Sequence, residues 1–205
     1  MTFQEYVATR FGVLTAGQHP ANGEACVLES WNAYQGRAWS DDPDIARCWD
    51  LRALNDIDVA PAIRTTIMVQ LMDAFAGSAD WPAARQQRVA ELIALGTVQR
   101  LIAELPGLSE SVRAQCRRAG TLMAAQIAAE AARAAPAAGV AGVDARAAAG
   151  AAAEAARAAR AAEAAWAASA AARAAADAAD AAGAAAEAVF SGACALWLDA
   201  ATTTA

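Results

Sequence analysis

The chain carries one histidine, His19, and four cysteines, Cys26, Cys48, Cys116 and Cys194. A thiol beside an imidazole can act as a nucleophile, with the imidazole taking its proton. His19 and Cys26 are close enough in sequence to pair. Cys26 also falls near the start of an expected helix, whose free N–H groups would lower its pKa. Against this, Cys26 shares an apolar face with Val27 and Trp31, and isolated cysteines pack as small apolar residues. No CxxC is present, so a metal site would have to recruit His19 with Cys26 or Cys48 without a ligand-spacing motif. A Cys26–Cys48 disulfide would require an oxidising compartment. This reading assigns no catalytic residue, no metal and no cofactor.

Acids crowd the next stretch: Asp41, Asp42, Asp44, Asp50, Asp56 and Asp58 fall within 18 residues. Paired carboxylates can move protons or hold magnesium. Arginines among carboxylates are also usual binding-site materials. A ligand site here would use Glu24, Glu29, Asp41, Asp42, Arg47, Arg52, Asn55 and Asp56, all converging on one pocket wall. Local roles compete with that: Ser40, Asp42 and Asn55 each fit a helix cap or a turn. Trp31, Trp39 and Trp49 fit a core better than a ligand box. No phosphate-binding glycine loop, nucleophile elbow or HExxH occurs.

The elements that must position these residues read as helices. Thr2 and Glu5 fit a capping box, with Phe3, Tyr6, Val7 and Phe11 on one face. Residues 12–23 read as a loop, and 24–35 as a helix closed by Gly36. A short helix is expected over 44–54. Pro61 suits a first turn, with Ile63, Ile67, Leu71 and Phe75 spaced as an apolar stripe and Gly77 as the stop. Asp80 is expected to cap a helix to Leu95, Thr97 a short one to Leu105, and Ser109 one from Glu110 to about Ala135. Val112, Cys116, Leu122, Met123 and Ile127 would be its core residues. Residues 136–143 read as a hinge, and Asp144 as the cap of an alanine-rich helix. No alternating strand pattern or hairpin turn appears, so the fold class is all-α, a multi-helix bundle. It divides into an N-terminal helical domain (1–135), the hinge, an alanine-rich segment (144–199) docking by its end, and a frayed tail (200–205).

From Ala145 to Ala188, 31 of 44 residues are alanine, the strongest helix former. On a wheel of ~100° per residue, the exceptions from Arg146 to Arg160 lie in one sector of about 120°. Those from Glu163 to Glu187 lie mostly opposite, so one straight helix cannot bury both alanine faces. A break near residues 161–162, or a change of packing partner there, follows. Alanine allows helix axes to approach to the low end of the ~8–10 Å range. The faces opposite the charges include Ala152, Ala159, Ala171 and Ala182. With Trp166, Phe190 and Trp197 they form the expected interface, within the chain or against a partner.

Charge narrows the function. All 16 basic residues are arginine and the net charge is −6; the absence of lysine points to a GC-rich coding genome. Nucleic-acid binding needs a basic face that displaces counterions, and no strongly basic stretch exists. The first residues lack the basic and apolar regions of a signal peptide, and charges interrupt the alanine tract too often for a membrane span. A cytoplasmic location is expected.

Residues 23–56 resemble a segment of uncharacterised small proteins of actinobacteria and their phages. The shared elements are Gly23, Glu24, Ala25, Cys26, Leu28, Glu29, Gly36, Trp39, Ser40, Asp41, Pro43, Leu54, Asn55 and Asp56. The alanine-rich tail is similar in composition to helical repeats in putative immunity proteins. Both resemblances imply a helical binding role, in phage–host or toxin–antitoxin biology, and no catalytic assignment. The expected function is therefore non-enzymatic protein–protein contact, with self-association to a homo-oligomer. The alternative is a small-ligand-binding protein or enzyme using residues 19–56, and a third reading is an acidic inhibitor of a basic surface.

Overall fold

A computed structural model of the chain describes residues 1–17, 19–21, 23–42, 49–136 and 139–204. Among the described residues the fold is all-α, with no strand. Helix α1 (Phe3–Arg10) opens on the expected capping box: Thr2 Oγ1 accepts from Glu5 N, and Glu5 Oε2 accepts from Thr2 N. Helix α2 (Val27–Tyr34) starts later than residue 24, because Cys26 is its cap. Of the helix expected over 44–54, residues 44–48 lie outside the described residues, and only α3 (Arg52–Asn55) is helical in the remainder. Helix α4 (Pro61–Phe75) begins on its proline and ends before Gly77, whose φ of 70° is a left-handed stop. Its buried face is rotated from the expected stripe: Arg64, Met68, Val69, Leu71, Met72 and Phe75 are buried, while Ile63 and Ile67 are half-buried.

Several expected caps are not caps. Pro82, not Asp80, precedes α5 (Ala83–Gly96). That helix does not stop at Gly96; it passes into a π-helical turn (Thr97–Leu101) and a 3₁₀ turn (Ile102–Glu104). The Thr97 hydroxyl donates back to Ile93 O at 2.8 Å, a bond available inside a helix. The helix expected over 110–135 divides into α6 (Glu110–Arg117), capped by Ser109, and α7 (Leu122–Arg133), capped by Thr121. Helix α8 (Gly139–Arg160) begins before Asp144, which therefore sits inside it.

The break expected near residues 161–162 is present. Ala162 has φ 61°, and α9 (Ala164–Ala182) returns antiparallel to α8. Arg173 on α9 donates to Glu154 on α8 at 3.3 Å across this hairpin. Gly183, with φ 54° and ψ −111°, ends α9, and α10 (Ala186–Thr203) follows. The expected frayed tail is helical to Thr203, with Ala200 and Ala201 buried.

Helix α9 occupies the centre, packed against α8, α10, α5 and α3. All but one of its alanines from Ala167 to Ala181 are buried, around most of its circumference, and methyl side chains let that many neighbours approach. Two cores meet along the α8–α9 hairpin. One joins the aromatic residues of α1, α2, α4 and α10 to α5 and α9, so the alanine-rich segment shares a core with residues 1–135. The other is alanine-rich and joins α6, α7 and α8. The segment Ala164–Thr203 is apolar enough by length and composition to pass for a membrane span. It bends at Gly183, and Phe190, Cys194 and Trp197 of α10 are buried in the first core.

Candidate functional site

The loop between α1 and α2 folds back onto the start of α2. Glu29, three residues into that helix, is fully buried. Its Oε2 accepts from Cys26 N at 2.9 Å, while Cys26 Sγ accepts from Glu29 N at 3.5 Å, a capping box with cysteine in the serine position. The same carboxylate takes the loop: His19 N donates to Oε1 at 2.6 Å, and His19 Nδ1 lies 3.1 Å from Oε2. A proton on Nδ1 leaves Nε2 to accept from the Thr15 hydroxyl, 2.9 Å away. Trp39 Nε1 donates to His19 O at 2.8 Å.

Hydroxyl, imidazole and carboxylate stand here in the order of an activated nucleophile, its base and the base's orienting group. The surroundings are those of a fastening. Glu29 is spent on backbone amides, Thr15 Oγ1 also reaches Ala25 O at 3.4 Å, and Trp39 closes the outside. The Cys26–His19 pairing considered above does not form, since His19 turns to Glu29, and Cys26 is buried as its apolar neighbours imply. Burial, with the nearby Glu29 carboxylate, pushes the Cys26 thiol up to about 12, the reverse of the lowering a helix N-terminus alone would cause. Cys194 is raised to about 12 by burial, and burial raises Cys116. All three thiols are free; Cys48 lies outside the described residues.

The other acidic and basic candidates fall into separate groups. Asn55 is buried: its Oδ1 accepts from Val27 N at 3.4 Å, and its Nδ2 donates to Asp56 Oδ1 at 2.8 Å. Asp56 Oδ1 also accepts from Gly17 N at 3.0 Å. Glu29, Asn55 and Asp56 thus hold α2, α3 and the first loop together. Arg52 instead grips Asp50 with two bonds, Nε to Oδ1 at 2.8 Å and Nη2 to Oδ2 at 3.0 Å. Burial pushes the Asp50 carboxyl up, but the bonds and charge of Arg52 outweigh it and hold it below its usual value. The charges of Asp41 and Asp42 act on the same guanidinium. Glu24 is exposed, and Arg47 lies outside the described residues. Among the described residues, these side chains do not converge on one pocket wall. No group of three or more His, Cys, Asp and Glu able to hold a metal occurs among the described residues.

Two features had no sequence signal. Arg64 is buried within α4 and donates to Asn55 O at 3.0 Å and Ile57 O at 2.6 Å, fixing the loop after α3. Ser78, just past the Gly77 stop, is also buried, and its hydroxyl has no hydrogen-bond partner among the described residues. It lines a cavity of about 240 Å³ with Trp31, Gln35, Arg37, Phe75 and Asp80.

The residues expected to form an interface are mostly internal. Ala152, Ala159, Ala171, Phe190 and Trp197 are buried within the chain, and Ala182 is half-buried. Only Trp166 stands out, 54% exposed, with the Arg173 guanidinium 5.5 Å from its ring centre. The open apolar pair is instead on α7, where Met123 is 47% and Ile127 50% exposed. Both were expected in the core. They turn outward because α7 meets α8 through Ala125, Ala128, Ala129 and Ala132, and that close contact admits only small side chains. No family model, curated protein or solved structure matches the chain.

Proposed function

We propose that this protein acts by protein–protein contact through the outward face of α7, and that its partner there is a second copy of itself. The observation that carries the reading is the pair Met123 and Ile127, one helical turn apart and half exposed. Adjacent apolar side chains left in water favour a partner. The alanine faces, which were the sequence-based reason for self-association, are satisfied within the chain, so the contact moves to α7.

A twofold dimer needs a self-complementary surface. In an antiparallel pairing of α7 with its copy, Met123 of each chain lies over Ile127 of the other. Gln126, which accepts from Arg160 at 2.8 Å and donates to Glu130 at 2.8 Å, keeps a polar rim beside the apolar pair. The resemblance of residues 23–56 to phage and actinobacterial small proteins supports a binding role of this kind, in a cytosolic setting.

Sedimentation velocity over a wide concentration range tests it. The expected result is a reversible dimer that Met123→Glu with Ile127→Glu converts to monomer without lowering the melting temperature. A monomer at every concentration, or a dimer that survives both substitutions, overturns the reading.

A further inference from the structure

We propose that Met123 is a methionine sulfoxidation site, and that its oxidation by hydrogen peroxide releases the second copy held on α7. The proposal rests on the self-association argued above and adds its regulation. It starts from where the sulfur atoms lie. The chain has four methionines, and Met68 and Met72 are fully buried in the first core. The described thiols, Cys26, Cys116 and Cys194, are buried as well. Met1 is 75% and Met123 47% exposed. Met1 lies beside α2, where its carbonyl accepts from the Tyr34 hydroxyl at 3.1 Å. Among the described sulfur-bearing residues, Met123 alone is both open to solvent and half of the apolar pair with Ile127.

The step is a two-electron oxygen transfer. The thioether sulfur attacks one peroxide oxygen and the O–O bond breaks. The proton on the transferred oxygen passes to the leaving hydroxide, which departs as water. Sulfur is oxidised to the sulfoxide, and the peroxide is reduced. A flexible apolar side chain thereby becomes polar. In the dimer each Met123 lies over Ile127 of the other copy, so the sulfoxide oxygen gives up water against a side chain with no donor to offer. A twofold contact counts that cost twice. In the single chain the same oxygen is well placed. Met123 is the second residue after the Thr121 cap. Helical side chains lean toward the helix N-terminus, the positive end of the macrodipole. Thr121 Oγ1 accepts from Ala124 N at 3.2 Å there and so fixes the first turn without Met123. The oxidised monomer therefore keeps its fold.

Graded hydrogen peroxide on the full chain, then size exclusion and peptide mass mapping of each fraction, tests the site. Met123 and Met1 are expected to oxidise before Met68 and Met72. Met123 sulfoxide should concentrate in the monomer fraction, while Met1 sulfoxide divides evenly between monomer and dimer. Sedimentation velocity should show the dimer weakened about a hundredfold, a factor of about ten for each acceptor left unpaired. Methionine sulfoxide reductases for both epimers should restore it. The monomer's melting temperature should stay unchanged by oxidation. If Met123 oxidises no faster than Met68 and Met72, or its sulfoxide is found equally in both fractions, the proposal is overturned and the dimer stands without it. A reduced parent that is monomeric at every concentration overturns the self-association itself, and the release with it.

Discussion

Gly96 on α5 lies directly beneath Leu196 of α10: a Cβ built on the glycine would stand 3.1 Å from Leu196 Cδ2 and closer still to Cδ1. Gly96 has ordinary helical angles, φ −65° and ψ −33°, so its backbone makes no demand for glycine. What matters is the missing side chain, which lets α10 close on α5.

Gly96→Ala is therefore expected to destabilise the fold. Overpacking costs ~1–3 kcal/mol, and the helix-propensity gain returns up to ~1 kcal/mol. The net loss of ~0–2 kcal/mol would lower the melting temperature by up to about 8 °C in a chain of this size. In a Leu196→Ala background the same substitution should cost nothing. Additive effects in this double-mutant cycle would show that the two residues do not compete for the same space.

The alanine hairpin gives a second test. Ala159 and Ala171 are buried, so Ala159→Leu and Ala171→Leu should each cost ~1–3 kcal/mol. Arg157 is exposed on the same hairpin, and Arg157→Gln should change stability by about 0.5 kcal/mol or less. Thermal melts compare the three. Unchanged melting temperatures for both leucine variants would mean that α8 and α9 are not closely packed.

Glu29 holds the first loop through two backbone amides and one imidazole nitrogen. Glu29→Gln turns one acceptor into a donor facing these groups. The expected cost is ~1.5–3 kcal/mol, the range for hydrogen bonds to a charged group. Amide hydrogen exchange at His19 and Cys26 should quicken at the same time. A variant as stable and as protected as the parent would remove Glu29 from this role.

Asp177 on α9 gives the pH test. Burial raises its carboxyl above the usual aspartate value, Asp180 and Asp144 add to the rise, and Arg173 opposes it. A carboxyl raised in the folded state contributes stability below its unfolded pKa and loses it as pH rises through the folded value. Asp177→Asn removes that loss. The variant should melt higher than the parent at pH 7, and the difference should vanish below about pH 4, where both forms are neutral. An equal gain at both pH values would trace the effect to packing rather than ionisation.

Local signals were legible where one residue's chemistry settles one bond. Thr2 with Glu5, and Ser109, cap as their types imply. Thr97, Asp80 and Asp144 have the same chemistry, yet each lies where the surrounding chain continues or begins a helix differently. A side-chain oxygen permits a cap but does not compel one, because a back-bond such as Thr97 to Ile93 satisfies it equally. Glu29, Asn55 and Asp56 are ligand-site candidates by residue type, and the structure shows them bonded within the fold. Their partners, His19, Val27 and Gly17, come from other segments, and no spacing in the sequence encodes those pairings.

By itself the sequence determined the helical class and the break after Arg160, because charges recurring every three or four residues fix which face meets water. It also determined that α8 and α9 could pack closely, since methyl groups leave room for nothing else. Only the tertiary structure decided what they pack against. A surface of identical alanines carries no address, so the central place of α9 depends on which neighbours can close around it. The same approach of α8 turned Met123 and Ile127 outward, although their hydrophobicity alone would have placed them inside.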